Sequence, residues 1–182
     1  AAKPAPTAPA TSAAKPGPNV SALKIDWAKA QEDKRKQSQA GLPAKLDKVS
    51  AQQLAGVHLP VLMPNTPEFR AGVRMWPSAD SYTASLSMPG WTVEIFGSRL
   101  ATTLSPATEQ AAGRQMKASA AGYVISATEY GQELSFSRYG AAYSLDVTCD
   151  APQSDEHCTK PTYITGLADA MQMFGGTPDG GN

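Results

Sequence analysis

From Tyr123 to Cys149 the chain reads YVISATEYGQELSFSRYGAAYSLDVTC, and apolar and polar positions alternate through most of it. Tyr123, Ile125 and Ala127 share one side, Leu134 and Phe136 a second short side, and Tyr143, Leu145, Val147 and Cys149 a third. Ser126, Thr128, Glu133, Ser135, Ser137, Ser144, Asp146 and Thr148 lie between them. A period of two is the mark of half-buried strands. Tyr130-Gly131 and Tyr139-Gly140 interrupt the alternation where a strand has to reverse. The pattern predicts three antiparallel strands, one face buried and one wet.

An upstream stretch, Tyr82 to Leu104, has the same pattern: YTASLSMPGWTVEIFGSRLATTL. Laid without gaps on Tyr123 to Leu145, it pairs Tyr82 with Tyr123, Ser85 with Ser126, Gly90 with Gly131, Ala101 with Ala142 and Leu104 with Leu145. Val93 falls on Leu134 and Ile95 on Phe136. Pro89-Gly90 is the expected centre of a type II turn. An internal duplication of a three-strand unit accounts for this. The alternative is two meanders that share hydrophobic spacing.

The remaining pattern is helical or irregular. Ser21 as N-cap, with Leu23 and Trp27 one turn apart, predicts a helix from about Ala22 to Gln39. Gly41 and Pro43 stop it. A second helix is expected over Ala44 to Leu54. Val57 to Pro64 is apolar but carries two prolines, which places it at a sheet edge. Asn65 to Ala71 is expected to be a loop, and Val73 to Trp76 a short strand. Ser105 to Ala121 reads as a short helix or a mobile loop. Thr162 to Phe174 has Ile164, Leu167, Ala168, Met171 and Phe174 at helical spacing, with Gly175-Gly176 as its stop. The expected fold is therefore α+β: an antiparallel sheet built from two similar three-strand units, with helices packed on one face.

Composition bounds the rest. Residues 1–20 are expected to be a disordered Pro/Ala-rich leader, 21–176 a single α+β domain and 177–182 a disordered tail. The chain has 182 residues, with 16 Lys+Arg against 16 Asp+Glu. A neutral chain is poorly suited to nucleic acid, because phosphate neutralisation needs clustered cations. No apolar run approaches the length of a membrane span. The start at Ala1, without Met, reads as a mature N-terminus left by signal-peptide removal or as an artificially trimmed start.

The chemistry is sparse. Cys149 and Cys158 are the two cysteines, and their isolation and short spacing predict a disulfide; the alternative is a metal site with Asp155, Glu156 and His157. That alternative lacks the usual zinc-ligand spacing. His58 and His157 are the two histidines, and neither sits in a nucleophile motif. No cofactor is expected. Trp76, Trp91, Arg74, Arg99 and Arg138 are the candidate binding residues, since aromatics beside arginine anchor interfaces and suit glycans or anions. Trp91 shares the parity of Val93 and Ile95, which also fits a core position.

The phrases LPVLMP and FSRYGAAYSLDVTC, within the latter two thirds of the chain, resemble exported proteins of Gram-negative bacteria. The resemblance implies export and no particular activity. The first expectation is thus a periplasmic or secreted module that binds an envelope protein or polymer without catalysis. The alternatives are a small hydrolase using His58 or His157, and a tethered structural envelope protein.

Overall fold

The structure is a computed structural model that describes residues 20–102, 117–118 and 122–180. Its centre is a seven-stranded sheet in the order β3-β4-β5-β10-β9-β8-β7, antiparallel throughout. The strands are β3 (Arg74–Pro77), β4 (Ser81–Met88), β5 (Trp91–Ser98), β10 (Ala141–Cys149), β9 (Gly131–Arg138), β8 (Val124–Ala127) and β7 (Lys117–Ala118). Two further ribbons pair β1 (Val20–Ala22) with β6 (Leu100–Thr102), and β2 (Val61–Pro64) with β11 (Met171–Gly175). The helices are α1 (Trp27–Gln39), α2 (Ala51–Ala55), α3 (Pro67–Gly72), α4 (Glu156–Thr159) and α5 (Pro161–Asp169).

Apart from the edge strand β7, the order of the main sheet is symmetric about the β5–β10 pair, and so is its register. A shift of 50 residues carries the pair Arg74↔Ser85 onto Val124↔Ser135, and Met88↔Trp91 onto Arg138↔Ala141. The two units are β3-β4-β5 and β8-β9-β10, related by a two-fold axis through Ile95↔Leu145. Two similar three-strand units are therefore present, but they are not the expected segments: the gap-free pairing of Tyr82 with Tyr123 is one strand out, and Gly90 and Gly131 are not equivalent. Turn geometry decides this. Gly90 (φ 88°) and Gly140 (φ 83°) close equivalent two-residue turns, whereas Gly131 is the first residue of β9. The third strand expected near Leu100 is β6, which pairs with β1 and not with β5.

One row of side chains across the sheet runs Met75, Ala84, Ile95, Leu145, Leu134, Ile125. The middle four are fully inaccessible, and all six face the helical side. That side is covered by α2, α3, α5 and the β2–β11 ribbon. Single-sided burial follows from the alternation read in the sequence.

The β2 segment needs special provision. All four of its residues are buried, and within its ribbon it pairs only with β11. Tyr82 supplies the missing partner: its hydroxyl donates to the Leu62 carbonyl at 2.7 Å and accepts from the Leu62 N–H at 3.0 Å. Tyr143 donates to the Pro60 carbonyl at 2.8 Å. Both rings stand beside Gly97, where a Cβ would run into the Tyr82 ring and crowd Tyr143. Gly97 is thus the hole that lets two phenols reach the β2 backbone.

Several local expectations change. The first helix starts at Trp27, capped by Asp26 and not Ser21, because Val20–Ala22 is drawn into β1. The second shrinks to Ala51–Ala55, opened by a Ser50/Gln53 capping box. Asn65 to Ala71 is not a loop: Thr66 caps α3, with Pro67 in its first turn. The last helix stops at Asp169, and Met171 to Gly175 is strand β11. The segment Ser105 to Ala121 lies outside the described residues, apart from β7. The tail expected from residue 177 has partners: Thr177 donates to the Val57 and Ala55 carbonyls, and Asp179 pairs with Arg99.

Cys149 and Cys158 form the expected disulfide, with Cα atoms 6.3 Å apart. It fastens α4 to the end of β10. In the chain-entropy view, closing so short a loop stabilises by about 2–3 kcal/mol.

Replacing Tyr82 by Phe keeps the ring and removes both hydrogen bonds to Leu62. The expected loss is about 1–3 kcal/mol of unfolding free energy, because a buried N–H and C=O lose a partner. Chemical denaturation measures it, and an unchanged midpoint would show that β2 is satisfied in some other way.

Candidate functional site

The two faces of the sheet differ in kind. On the side away from the helices, two cross-strand rows stand next to each other. One runs Trp76, Thr83, Phe96, Ser144, Ser135, Val124; the other runs Arg74, Ser85, Glu94, Asp146, Glu133, Ser126. Trp76 is 57% exposed and Phe96 44%. Neighbouring strands lie about 4.8 Å apart, so the two aromatics, two strands apart, are separated by roughly 10 Å on one surface.

Arg74 and Trp76 are brought together by β3 at the sheet edge. A recess of about 360 Å³ lies beside them, lined also by Lys48, Gly72, Ser85 and Ser87. Lys48 comes from the loop before α2, and both serines from the open face of β4. Among the described residues neither Arg74 nor Lys48 has an ion-pair partner. The recess therefore offers two cations, two hydroxyls and an indole. Lys48 had no signal in the sequence, because only the fold sets its loop against β3.

The other candidate residues are dispersed. Arg99 is held at 2.6 Å from both Asp80 and Asp179, with its side chain only 13% exposed; these carboxylates push the guanidinium pKa further up. It is a tie between chain segments and leaves little for a ligand. Arg138 donates to the Met171 carbonyl, and its guanidinium lies 5.4 Å from the Phe136 ring centre. A shallow recess there is shared with Lys29, Asp33 and Gln37 of α1. Trp91 is half-buried on the helical side, as its parity indicated. Its indole stacks on His157 at 4.7 Å and meets Tyr163 nearly edge-on at 5.3 Å.

The histidines are accounted for by structure. His157 Nδ1 is 2.7 Å from Asp155 Oδ1, and this contact together with the His157 backbone N–H holds the Asp155 carboxyl below its usual range. The pair has the form of an orienting carboxylate and a base. Its nucleophile is missing: among the described residues no hydroxyl or thiol hydrogen-bonds to either imidazole, and the adjacent Cys158 is in the disulfide. Among the described residues no group of three His, Cys, Asp or Glu side chains is arranged to hold a metal.

Three carboxylates stand directly side by side in one row, Glu94, Asp146 and Glu133. Like charges opposite one another destabilise a sheet. Asp146, in the middle and half-buried, bears the consequence: burial first, then Glu133 and Glu94, push its pKa up to about 6.

Comparison with known protein families, with characterised proteins and with solved structures finds no match. No helix among the described residues is long and apolar enough to cross a membrane.

The Asp146 arrangement has a stability signature. The folded chain holds this proton to higher pH than the unfolded chain, so the ionised carboxylate costs stability. That cost is absent below about pH 4, grows as pH rises, and is complete above about pH 6. Asp146→Asn should therefore match the wild type near pH 4 and exceed it at pH 7. Allowing for solvent screening at a half-exposed site, the gain is on the order of 1 kcal/mol. Denaturation at the two pH values tests this, and equal differences at both would contradict it.

Proposed function

We propose that the chain is an exported, non-catalytic module that holds an anionic envelope polymer on the open face of its sheet, at the β3 edge. The observation that carries this is the convergence of Arg74, Lys48, Ser85 and Ser87 on one recess beside the exposed Trp76. A guanidinium matches the planar fork of a carboxylate, sulfate or phosphate. An indole lying open on a flat sheet face suits stacking against a sugar ring, and the serine hydroxyls add hydrogen bonds of either polarity.

Charge sets the orientation. The row that begins with Arg74 and Ser85 continues into Glu94, Asp146 and Glu133. An anion is attracted at the edge and repelled from the centre of the face. Such a polymer lies along β3 and β4, with its charged groups outward over Lys48 and Arg74. The Cys149–Cys158 disulfide supports an oxidising compartment, hence export, as does the resemblance carried by LPVLMP and FSRYGAAYSLDVTC. Among the described residues no hydroxyl or thiol at His58 or His157 supports the hydrolase alternative.

Binding of a carboxylated or sulfated polysaccharide, against a neutral dextran, is the test, read by biolayer interferometry at two salt concentrations. The anionic polymer should bind, and less tightly at higher salt. Trp76→Ala and Arg74→Ala should each weaken binding by about tenfold or more. His58→Ala and His157→Ala should leave it unchanged. Equal binding of neutral and anionic polymers, or full binding by the folded Trp76→Ala variant, would overturn the proposal.

A further inference from the structure

On the helical side of the sheet, opposite the open face, lies a second cavity of about 330 Å³. It opens between α3, α5 and the turn end of the β4–β5 hairpin. Phe69, Leu86 and Leu167 form its floor, all nearly inaccessible. Met88, Trp91 and Tyr163 are its partly buried walls. Thr66 and Glu68 stand at its rim. We propose that this cavity binds a small methylated ammonium compound, with the Trp91 and Tyr163 rings as its walls and Glu68 as its counter-charge.

The rings meet at 73°, so they form a corner and not a slot. A cation is attracted to an aromatic ring by its electron-rich face, and perpendicular rings are the elements of a cage for such a group. His157 packs against both rings. It stacks on the Trp91 indole at an interplanar angle of 25° and meets Tyr163 edge-on at 4.5 Å, while Asp155 holds the imidazole. The Met88 thioether adds a soft, polarisable wall.

Among the described residues Glu68 is the one formally charged side chain in the lining. Its own backbone N–H and the Thr66 hydroxyl hold its carboxyl below the usual range, so it is ionised at neutral pH. Burial first, and then this charge, push the Tyr163 phenol up to about 12. The nearby Arg70, whose charge also favours the ionised Glu68, does not line the cavity and donates to Asn65 Oδ1 at 2.7 Å. An anionic ligand would meet repulsion here.

The apolar floor selects a methylated cation over a bare one. An unsubstituted ammonium leaves N–H groups without acceptors inside such a cavity, and that costs free energy. Methyl groups ask for no acceptor and bury apolar area. A free compound also fits better than a lipid headgroup, because among the described residues the large exposed apolar ones are Val20, Leu42, Trp76, Phe96, Leu100 and Tyr130, and none lines this cavity. Among the described residues no apolar collar surrounds its mouth to enter a bilayer.

The probe is choline, titrated into the protein by calorimetry and followed by NMR. Three comparisons accompany it: the neutral isostere in which carbon replaces the quaternary nitrogen, ammonium chloride, and phosphatidylcholine vesicles. Choline should bind and shift the Trp91 and Tyr163 ring signals. The isostere should bind at least about tenfold more weakly, the loss of a desolvated cation–π contact. Glu68→Gln, a surface change that leaves the fold intact by circular dichroism, should weaken choline by about fivefold to tenfold. Equal affinity for choline and its isostere, no choline binding at tens of millimolar, or full binding by the folded Glu68→Gln variant would each overturn the proposal. Capture by vesicles without binding of free choline would overturn it as well. None of these outcomes bears on the open-face recess, which lies on the other side of the sheet.

Discussion

The phenol of Tyr82 and the backbone of Leu62 complete each other, and the two-layer arrangement rests on that contact. A strand laid across a sheet without joining it exposes N–H and C=O groups to a dry interior, where each unpaired group costs free energy. Tyr82 meets this need with one oxygen that both donates and accepts. Tyr143 donates in the same way to the Pro60 carbonyl, and Gly97 makes room for both rings. The result is a sheet with one face closed by helices and a ribbon, and one face open.

That division places the chemistry. The closed face takes the large apolar side chains, so polar and charged residues of the same strands fall on the open one. There they align in rows fixed by register, which is why three carboxylates come to stand together and why Trp76, Thr83 and Phe96 share a line. The edge at β3 is the place where that face meets cations from outside the sheet. At the other end of the molecule the β9–β10 turn is held by α1. Tyr139 adopts a positive φ of 54°, its carbonyl accepts from the Asp26 N–H, and its hydroxyl donates to Asp33. Backbone strain at a non-glycine residue persists only where the surroundings hold it, as they do here.

The strands were legible because a period of two with turn residues is a local signal. Their pairing was not, because register is set by turn length and partner, and neither is written in residue identity. The alignment of Tyr82 with Tyr123 had five identities, whereas the true relation retains only Ser85/Ser135, Ser87/Ser137 and Gly90/Gly140 across the paired strands. Met171 and Phe174 continued the helical spacing of α5, yet a short apolar run fits helix or strand, and pairing with β2 decided it. Helix α3 was missed although Thr66-Pro67-Glu68 is a sound helix start. At the candidate site, Arg74 and Trp76 were visible by type and proximity. The tie of Arg99 to Asp80 and Asp179, and the placing of Lys48 beside β3 and of Glu68 beside Trp91 and Tyr163, were not legible because the fold brings residues remote in sequence together.

The claim at the centre of this account is that the β3 edge of the open face, and not the helical side, receives an anionic polymer. An amide chemical-shift map of the isotopically labelled protein, taken on adding a carboxylated oligosaccharide, tests it most directly. The account predicts shifts confined to Lys48, Arg74, Trp76, Ser85 and Ser87, with the Asp146 region and α5 silent. Shifts centred on Trp91 and Tyr163, or along α1 near Arg138, would contradict it.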